Sequence, residues 1–323
     1  MCLVALALDQ SRRFPLVVAS NRDEYFKRPA ARLAWWTPQP GEPAVLGGRD
    51  LESGGTWLGL TAQGRLAMVT NVRGGMAVDP SAPTRGRIVT DWLAARETTA
   101  NFWMRTAVSG HNGFNLIAAD FQRGECFWGS NLGPYPLRLE RGLYGLSNGL
   151  LDAPWPKVQA LKARTQDAMC TASSADELAA ALFAALADRG LAADEALPHT
   201  GIPLEWERQL SSAFIRTPDL AYGTRCSTLI ITERVGRHLV THVFERSFSP
   251  VGTMALLRRS VLRHWPPRYT DAPSAAPIEQ ADVSESELTA PDSEAVPTKR
   301  TRVRSLLKPA PGSRRRHTGF GGL

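Results

Sequence analysis

Two runs near the start of the chain, Cys2–Leu8 and Leu16–Ser20, are apolar at almost every position instead of at alternate ones. Side chains of a strand point alternately to its two faces, so such runs need cover on both sides. They read as paired strands joined through Asp9–Pro15. Thr56–Thr61 and Leu66–Val72 form a hairpin around Ala62-Gln63-Gly64-Arg65, and Phe114–Asp120, Cys126–Gly129 and Gly142–Ser147 continue the strand count. The periodicity then turns helical over Lys157–Cys170 and Asp176–Arg189, the second helix opening near Ser174 or Ala175 and closing at Gly190. Ser227–Glu233 and His238–Phe248 make a last hairpin across Arg234-Val235-Gly236-Arg237. Two sheets packed together and sheathed by helices satisfy this pattern, an α+β architecture.

The segment from the start to about Trp265 is long enough to bury a core without staples, and it reads as one domain, 1–265. Beyond Pro266 the composition shifts to Pro, Ala, Ser, Glu and Thr, and from Lys299 to Arg316 it is basic without an acid. Such a stretch buries too little apolar surface to offset its ordering entropy, so 266–323 is expected to be a disordered tail. The net charge of +7 permits anionic partners, but no nucleic-acid reader accompanies it, and no specific nucleic-acid role is expected. Cys2, Cys126, Cys170 and Cys226 are widely spaced, which argues against a disulfide framework and fits a reducing, cytoplasmic setting. The apolar run after Met1 lacks a basic flank and meets Asp9 at once, unlike a secretory signal, and no stretch has bilayer-spanning length. His238 and His242 would stand about 13 Å apart on one strand, too far to share a metal. There is no Walker loop and no C-x-x-C-H, and the glycines at 54–59 do not separate a strand from a helix. No metal and no cofactor are expected; oligomeric state is not encoded in any visible pattern.

Chemistry is suggested first by position two. Met1 precedes a small residue and is of the kind aminopeptidases remove, which would leave Cys2 as the terminal residue. A terminal cysteine carries its own base: its α-amine titrates at about 7.7–8.0 and the thiol at about 8.5. A small hydrophobe in a core strand is the competing reading. Polar clusters at expected strand ends come next: Ser20-Asn21-Arg22-Asp23-Glu24-Tyr25, Gly54-Gly55-Thr56-Trp57-Leu58-Gly59, Thr70-Asn71-Val72-Arg73, Leu146-Ser147-Asn148 and Tyr222–Thr228. Leu151-Asp152-Ala153-Pro154-Trp155-Pro156-Lys157 adds a rigid entry to a helix, Pro156 suiting its first turn.

Taken in order over roughly residues 1–250, these motifs resemble the NRDE family, that of transport and Golgi organisation protein 2. The resemblance implies the N-terminal nucleophile fold, a four-layer αββα sandwich. The chain is more distantly similar to the choloylglycine hydrolase and penicillin V acylase group, which cleaves amides with an N-terminal cysteine. That likeness implies catalytic roles for Cys2 as nucleophile, Asp23 beside its amine, Asn71 and Asn148 as oxyanion donors, and Arg225 as support for the thiolate. Asn21, Arg22, Trp57 and Arg73 are then candidates for ligand binding. The chain departs from those hydrolases at Ser20, where they carry an arginine. Each residue has a structural alternative: Asn71 and Asn148 as strand-end caps, Arg225 as an ion-pair partner of Asp23, Trp57 as core. Two functions follow. One is a cysteine amidohydrolase acting on non-peptide C–N bonds of a small molecule. The other is a non-catalytic protein that binds and traffics a haem-like or lipid-like ligand, acyl-CoA included, as family members are implicated in such handling.

Overall fold

Alternate residues of the first strand enter different cores. Leu3, Ala5 and Ala7 pack among helices, whereas Val4, Leu6 and Leu8 pack between two sheets. The computed structural model describes residues 2–74, 78–266 and 283–288. Its first half comprises β1 (Cys2–Leu8), β2 (Leu16–Tyr25), β3 (Ala30–Trp36), β4 (Val45–Asp50), β5 (Leu58–Thr61), β6 (Arg65–Asn71), α1 (Gly86–Ala94) and α2 (Thr99–Ala107). There follow β7 (Phe114–Asp120), β8 (Glu125–Ser130), β9 (Leu137–Arg138), β10 (Gly142–Leu146), α3 (Pro156–Thr171) and α4 (Ala175–Leu186). A short α5 (Leu204–Gln209) leads into β11 (Tyr222–Val235), β12 (His238–Phe248), β13 (Met254–Arg263) and β14 (Val283–Leu288).

The strands form two antiparallel sheets, ordered β10-β1-β2-β11-β12-β13-β14 and β3-β4-β5-β6-β7-β8-β9. Three apolar clusters define the layers. Leu178, Leu182 and Leu186 of α4 and Leu161 of α3 cover the outer face of the first sheet with Leu3, Val17 and Ile231. Leu60, Met68 and Ile117 of the second sheet meet Leu6, Val18 and Ile230 of the first. Trp92 of α1 and Phe102 of α2 cover the second sheet's outer face with Ala67 and Leu116. The fold is therefore the four-layer αββα sandwich, and strands apolar on both faces are those inside it.

Polar side chains also join the sheets. Glu245 Oε1 accepts from Leu33 N at 2.8 Å, and Arg258 Nη1 donates to Leu33 O at 2.8 Å, where β3 is irregular between Ala31 and Ala34. Trp265 Nε1 donates to Thr61 O at 2.9 Å, so the residue expected to end the domain is a buried tie.

Several details differ from the sequence reading. Asn21-Arg22-Asp23-Glu24 lies within β2 and not beyond its end, because β11 pairs with β2 as far as Tyr25. The helices α1 and α2 and strands β3 and β4 were not anticipated; α1 buries Ile88, Val89, Trp92 and Leu93 at helical spacing in a short segment. Within the segment 266–323, Val283–Leu288 pairs antiparallel with β13, whose outer edge would otherwise present an open ladder. The remainder of 267–323 lies outside the described residues.

The Gly54-Gly55-Thr56 motif supports a close crossing. Thr56 N donates to Gly86 O at 3.2 Å, and a Cβ on Gly55 would overlap the Gly86 carbonyl at the start of α1. Gly54 takes φ +81° with nothing within 4 Å of an added Cβ. Gly55→Ala is therefore expected to cost about 1–3 kcal/mol in urea unfolding, and Gly54→Ala about 1–2 kcal/mol from backbone strain alone. An unchanged midpoint for Gly55→Ala would show that the crossing is loose.

Candidate active site

The alternation that divides the cores also orients the site. Cys2 pairs with Arg22 across β1 and β2, and Arg22 pairs with Cys226 across β2 and β11. Cys2 and Arg22 are in phase with Val4 and Val18, so both face the space between the sheets. Asn21 and Asp23 are in phase with Val17 and Ala19 and lean toward the helix layer. At the end of the sandwich a cleft of about 350 Å³ opens, lined by Cys2, Arg22, Asp23, Trp57, Asn71 and Arg85 among others.

The turn after β10 bonds both to β1 beside it and to β6 and its end in the other sheet. Ser147 Oγ donates to Cys2 O at 2.9 Å, and Thr70 Oγ1 donates to Ser147 O at 2.7 Å. Asn148 Nδ2 donates to Asn71 O at 2.8 Å, while Arg73 N donates to Asn148 O at 2.7 Å. Asn148 is thus engaged with the backbone of Asn71. The side-chain amide of Asn71 has no hydrogen-bond partner among the described residues and borders the cleft. Of these two asparagines, Asn71 has its side chain at the cleft and Asn148 has its side chain on the Asn71 backbone.

Charged groups divide in the same way. The Arg22 guanidinium lies 4.3 Å from the Trp57 ring centroid, with Nη2 3.5 Å from Asp50 Oδ2 and 3.8 Å from Glu24 Oε2. Trp57 itself lies against Gly48, where any Cβ would overlap its ring. Arg225 is placed elsewhere. The β-bulge between Thr224 and Cys226 leaves it outside the ladder, and its Nη1 donates to Tyr25 O and Arg28 O at 2.7 and 2.9 Å. Arg225 is absent from the cleft lining, and Arg22 occupies the position beside the thiol that had been expected of it. Asn21 is likewise structural in its contacts. Its Nδ2 donates to Leu186 O and Ala213 O at 2.9 and 2.8 Å, and its Oδ1 accepts from Ser227 Oγ at 2.5 Å. Arg73 stacks 4.6 Å from the Trp155 ring centroid and pairs with Glu207 at 3.0 Å. It borders a second cavity of about 1040 Å³, which Asn71 also lines, walled by Tyr25, Ile202, Trp206, Leu210 and Tyr222.

Residues not singled out from sequence complete the site. Thr224 Oγ1 donates to Asp23 Oδ1 at 2.6 Å, and Tyr222 Oη to Asp23 O at 3.0 Å. Lys157, within a motif but given no role, is buried behind the site. Thr224 and Lys157 were visible as motif members; Arg85 and Glu207 stand in segments without a local signal. Burial raises the Cys2 thiol above its ordinary range, with the positive amino terminus and Arg22 pulling it down and Asp23 and Glu24 pushing it up. Burial also raises Asp23, opposed first by Lys157. Cys226, buried and near Glu245, is pushed well above the usual thiol value.

Layers and site together define a protein of the αββα sandwich class with a thiol at the opening of its first strand. The chain belongs to the Transport and Golgi organisation 2 family, whose model matches residues 1–250. It is 34% identical over 256 residues to the Transport and Golgi organization protein 2 homolog of Bos taurus, covering 73% of this chain and 90% of the relative. Identity to the Homo sapiens homolog is 32% over 256 residues, at the same coverage of both chains. The Drosophila melanogaster protein is 27% identical over 258 residues, covering 72% of this chain and 88% of that one. Among solved structures, a Caenorhabditis elegans N-acylethanolamine-hydrolyzing acid amidase ortholog aligns with TM-score 0.39 and 9% identity over 71% of this chain and 92% of its own. A mutant conjugated bile acid hydrolase from Clostridium perfringens aligns with TM-score 0.38 and 10% identity over 85% and 100%. Among the described residues no helix is long and apolar enough to cross a membrane.

The raised thiol predicts slow alkylation. At pH 7 iodoacetamide should modify the exposed Cys170 well before Cys2, and Cys2 should catch up only as pH rises past the ordinary thiol range. Asp23→Asn removes a charge that holds the thiol up, so it should speed Cys2 modification at neutral pH. Peptide mass spectrometry reads both; equal rates for Cys2 and Cys170 at pH 7 would contradict the assignment.

Proposed function

We propose that this protein is an N-terminal cysteine amidohydrolase acting on a non-peptide C–N amide bond of a small molecule. The observation that carries the reading is the pairing, in one cleft, of Cys2 with the unengaged side-chain amide of Asn71. In this reaction Met1 is removed and the Cys2 amine becomes the base. The amine takes the thiol proton as Sγ attacks the substrate carbonyl, and a tetrahedral oxyanion forms facing Asn71 Nδ2. A donor of this kind contributes about 2.7–4 kcal/mol to the transition state in other amide-cleaving sites. Collapse breaks the C–N bond, and the ammonium returns its proton to the departing nitrogen. Water, deprotonated by the same amine, then cleaves the thioester and restores the thiol. Asp23 orients the amine, and Arg22 stabilises the thiolate from the neighbouring strand. The neighbouring 1040 Å³ cavity, which Asn71 also lines, offers room for the substrate's remaining bulk.

That cavity is also what supports a second reading, carriage of a lipid-like or haem-like ligand without turnover, since its walls include Ile202, Trp206 and Leu210. Cys2 separates the two. Intact mass should show loss of Met1. Cys2→Ala, or residues added before Cys2, should abolish hydrolysis across a panel of N-acyl amides while the thermal transition is preserved. Cleavage by Cys2→Ala at the wild-type rate would end the hydrolase reading. Equal haem or fatty-acid binding by wild type and Cys2→Ala, with no amide cleaved by either, would favour carriage.

A further inference from the structure

Arg85 takes no part in the reaction above. It lines both the cleft of Cys2 and the larger cavity, which also have Glu24, Arg28, Asn71, Val78 and Asn112 in common. The two spaces therefore share a border, and Asn71 and Arg85 both stand on it. The Arg85 Nη1 donates to Gly113 O at 3.2 Å. Among the described residues its Nε and Nη2 bond to nothing, and no carboxylate comes within ion-pair distance. Its neighbours are engaged. Arg28 holds Asp50 and Glu52 at 2.7 and 2.9 Å, and Arg73 holds Glu207 at 3.0 Å. Arg22 has Asp50 at 3.5 Å and Glu24 at 3.8 Å. Arg85 is also fixed in place, because the next residue, Gly86, accepts from Thr56 N at the close crossing with Gly55. A half-buried guanidinium without a counter-charge is costly. The helix α1 that it precedes offers no acid in its first turn to offset that cost.

We infer that Arg85 is the specificity-determining residue of this cleft, its guanidinium holding a carboxylate that the substrate carries close to its scissile amide. The inference rests on the reading of the cleft as a substrate site, and it narrows the substrate to a long-chain acyl amide with a carboxylate head. The Nε and Nη2 edge of a guanidinium presents two parallel N–H groups, which match the two oxygens of a carboxylate. A single negative charge suits the surroundings better than a double one. Glu24 lines both cavities as well, and it would repel a phosphate dianion more strongly than a carboxylate. Glu24 does not itself neutralise Arg85. Its Oε1 accepts from Tyr25 N at 2.9 Å, and its Oε2 lies 3.8 Å from Arg22 and 4.0 Å from Arg28. The walls at Ile202, Trp206 and Leu210 suit the acyl chain. With Asn71 and Arg85 on one border, the carbonyl and the carboxylate of a short head group have a partner each.

The test reads binding by calorimetry on Cys2→Ala, so that no cleavage intervenes. The probes are N-dodecanoylglycine and its neutral counterpart, N-dodecanoylglycinamide. The acid should bind about 10–100-fold more tightly than the amide. Adding Arg85→Gln should bring the two affinities together, and Arg85→Lys, which keeps the charge and loses the fork, should fall between. Equal affinity for acid and amide, binding of neither, or a preference that Arg85→Gln leaves intact overturns the inference. A larger preference for N-dodecanoyl-O-phosphoethanolamine over N-dodecanoylethanolamine would overturn the choice of carboxylate in favour of phosphate. Should Arg85→Gln not fold, Arg85→Met replaces it, and the acid-to-amide comparison with Arg85 intact decides alone. In wild type the same ratio should appear in kcat/KM. An acid preference that depends on Arg85, with no amide cleaved by wild type, would sink the hydrolase reading and leave carboxylate recognition by Arg85 standing.

Discussion

The cleft depends on the turn at Ser147 and Asn148, which holds β1 through the Ser147 hydroxyl and the other sheet through Thr70 and Asn71. Ser147 Oγ holds the carbonyl of Cys2 on β1, and Asn148 Nδ2 holds the carbonyl of Asn71 on β6. Both donors belong to the turn leaving β10, itself paired to β1. Two sheets that met only through leucines and valines would be free to slide by fractions of an ångström without a large penalty. Directional bonds to main-chain oxygens remove that freedom at the end of the sandwich where the cleft opens. Both acceptors are backbone atoms, so the arrangement fixes chain geometry and leaves the Cys2 and Asn71 side chains available.

Desolvation decides the electrostatics around that junction. Burial is the largest influence on Cys2, Asp23 and Lys157 alike, and it pushes each toward its neutral form. The arginines oppose this only where they are near, and most are already engaged: Arg28 with Asp50, Glu52 and Ser53, Arg73 with Glu207, Arg225 with two carbonyls. Arg22 differs in having longer ion-pair contacts and an aromatic face beneath it. Its guanidinium is therefore the nearest cation on the neighbouring strand and the one with least direct competition for its field.

Much of this architecture was legible in the sequence because two-face burial leaves a mark in composition. Runs such as Cys2–Leu8 and Leu116–Ala119 are apolar without alternation, and the structure buries every residue of both. The long α3 and α4, of sixteen and twelve residues, were visible through their length, whereas α1 keeps helical spacing in its apolar residues over only nine positions. The site was legible at the level of which residues matter and less so in what each one does. A bulge cannot be read from Thr224-Arg225-Cys226, yet it alone removes Arg225 from the row that Cys2, Arg22 and Cys226 share. Nor does spacing reveal that Asn71 and Asn148 meet, backbone to side chain, across two sheets.

The family's motif residues consequently perform two kinds of work. Cys2, Arg22, Trp57 and Asn71 face the cleft. Asn21, Asn148, Thr224 and Lys157 instead bond to the chain itself: Asn21 to Ala213, Asn148 to Asn71, Thr224 to Ile215 and Asp23, Lys157 to Leu210. Three of those partners, Leu210, Ala213 and Ile215, lie in the one irregular stretch between α5 and β11. Such a stretch has no ladder to satisfy its backbone, so buried side chains must do it. It also brings Leu210 to the wall of the larger cavity. The polar residues that fix this stretch are therefore as necessary to the shape of the site as those that face it.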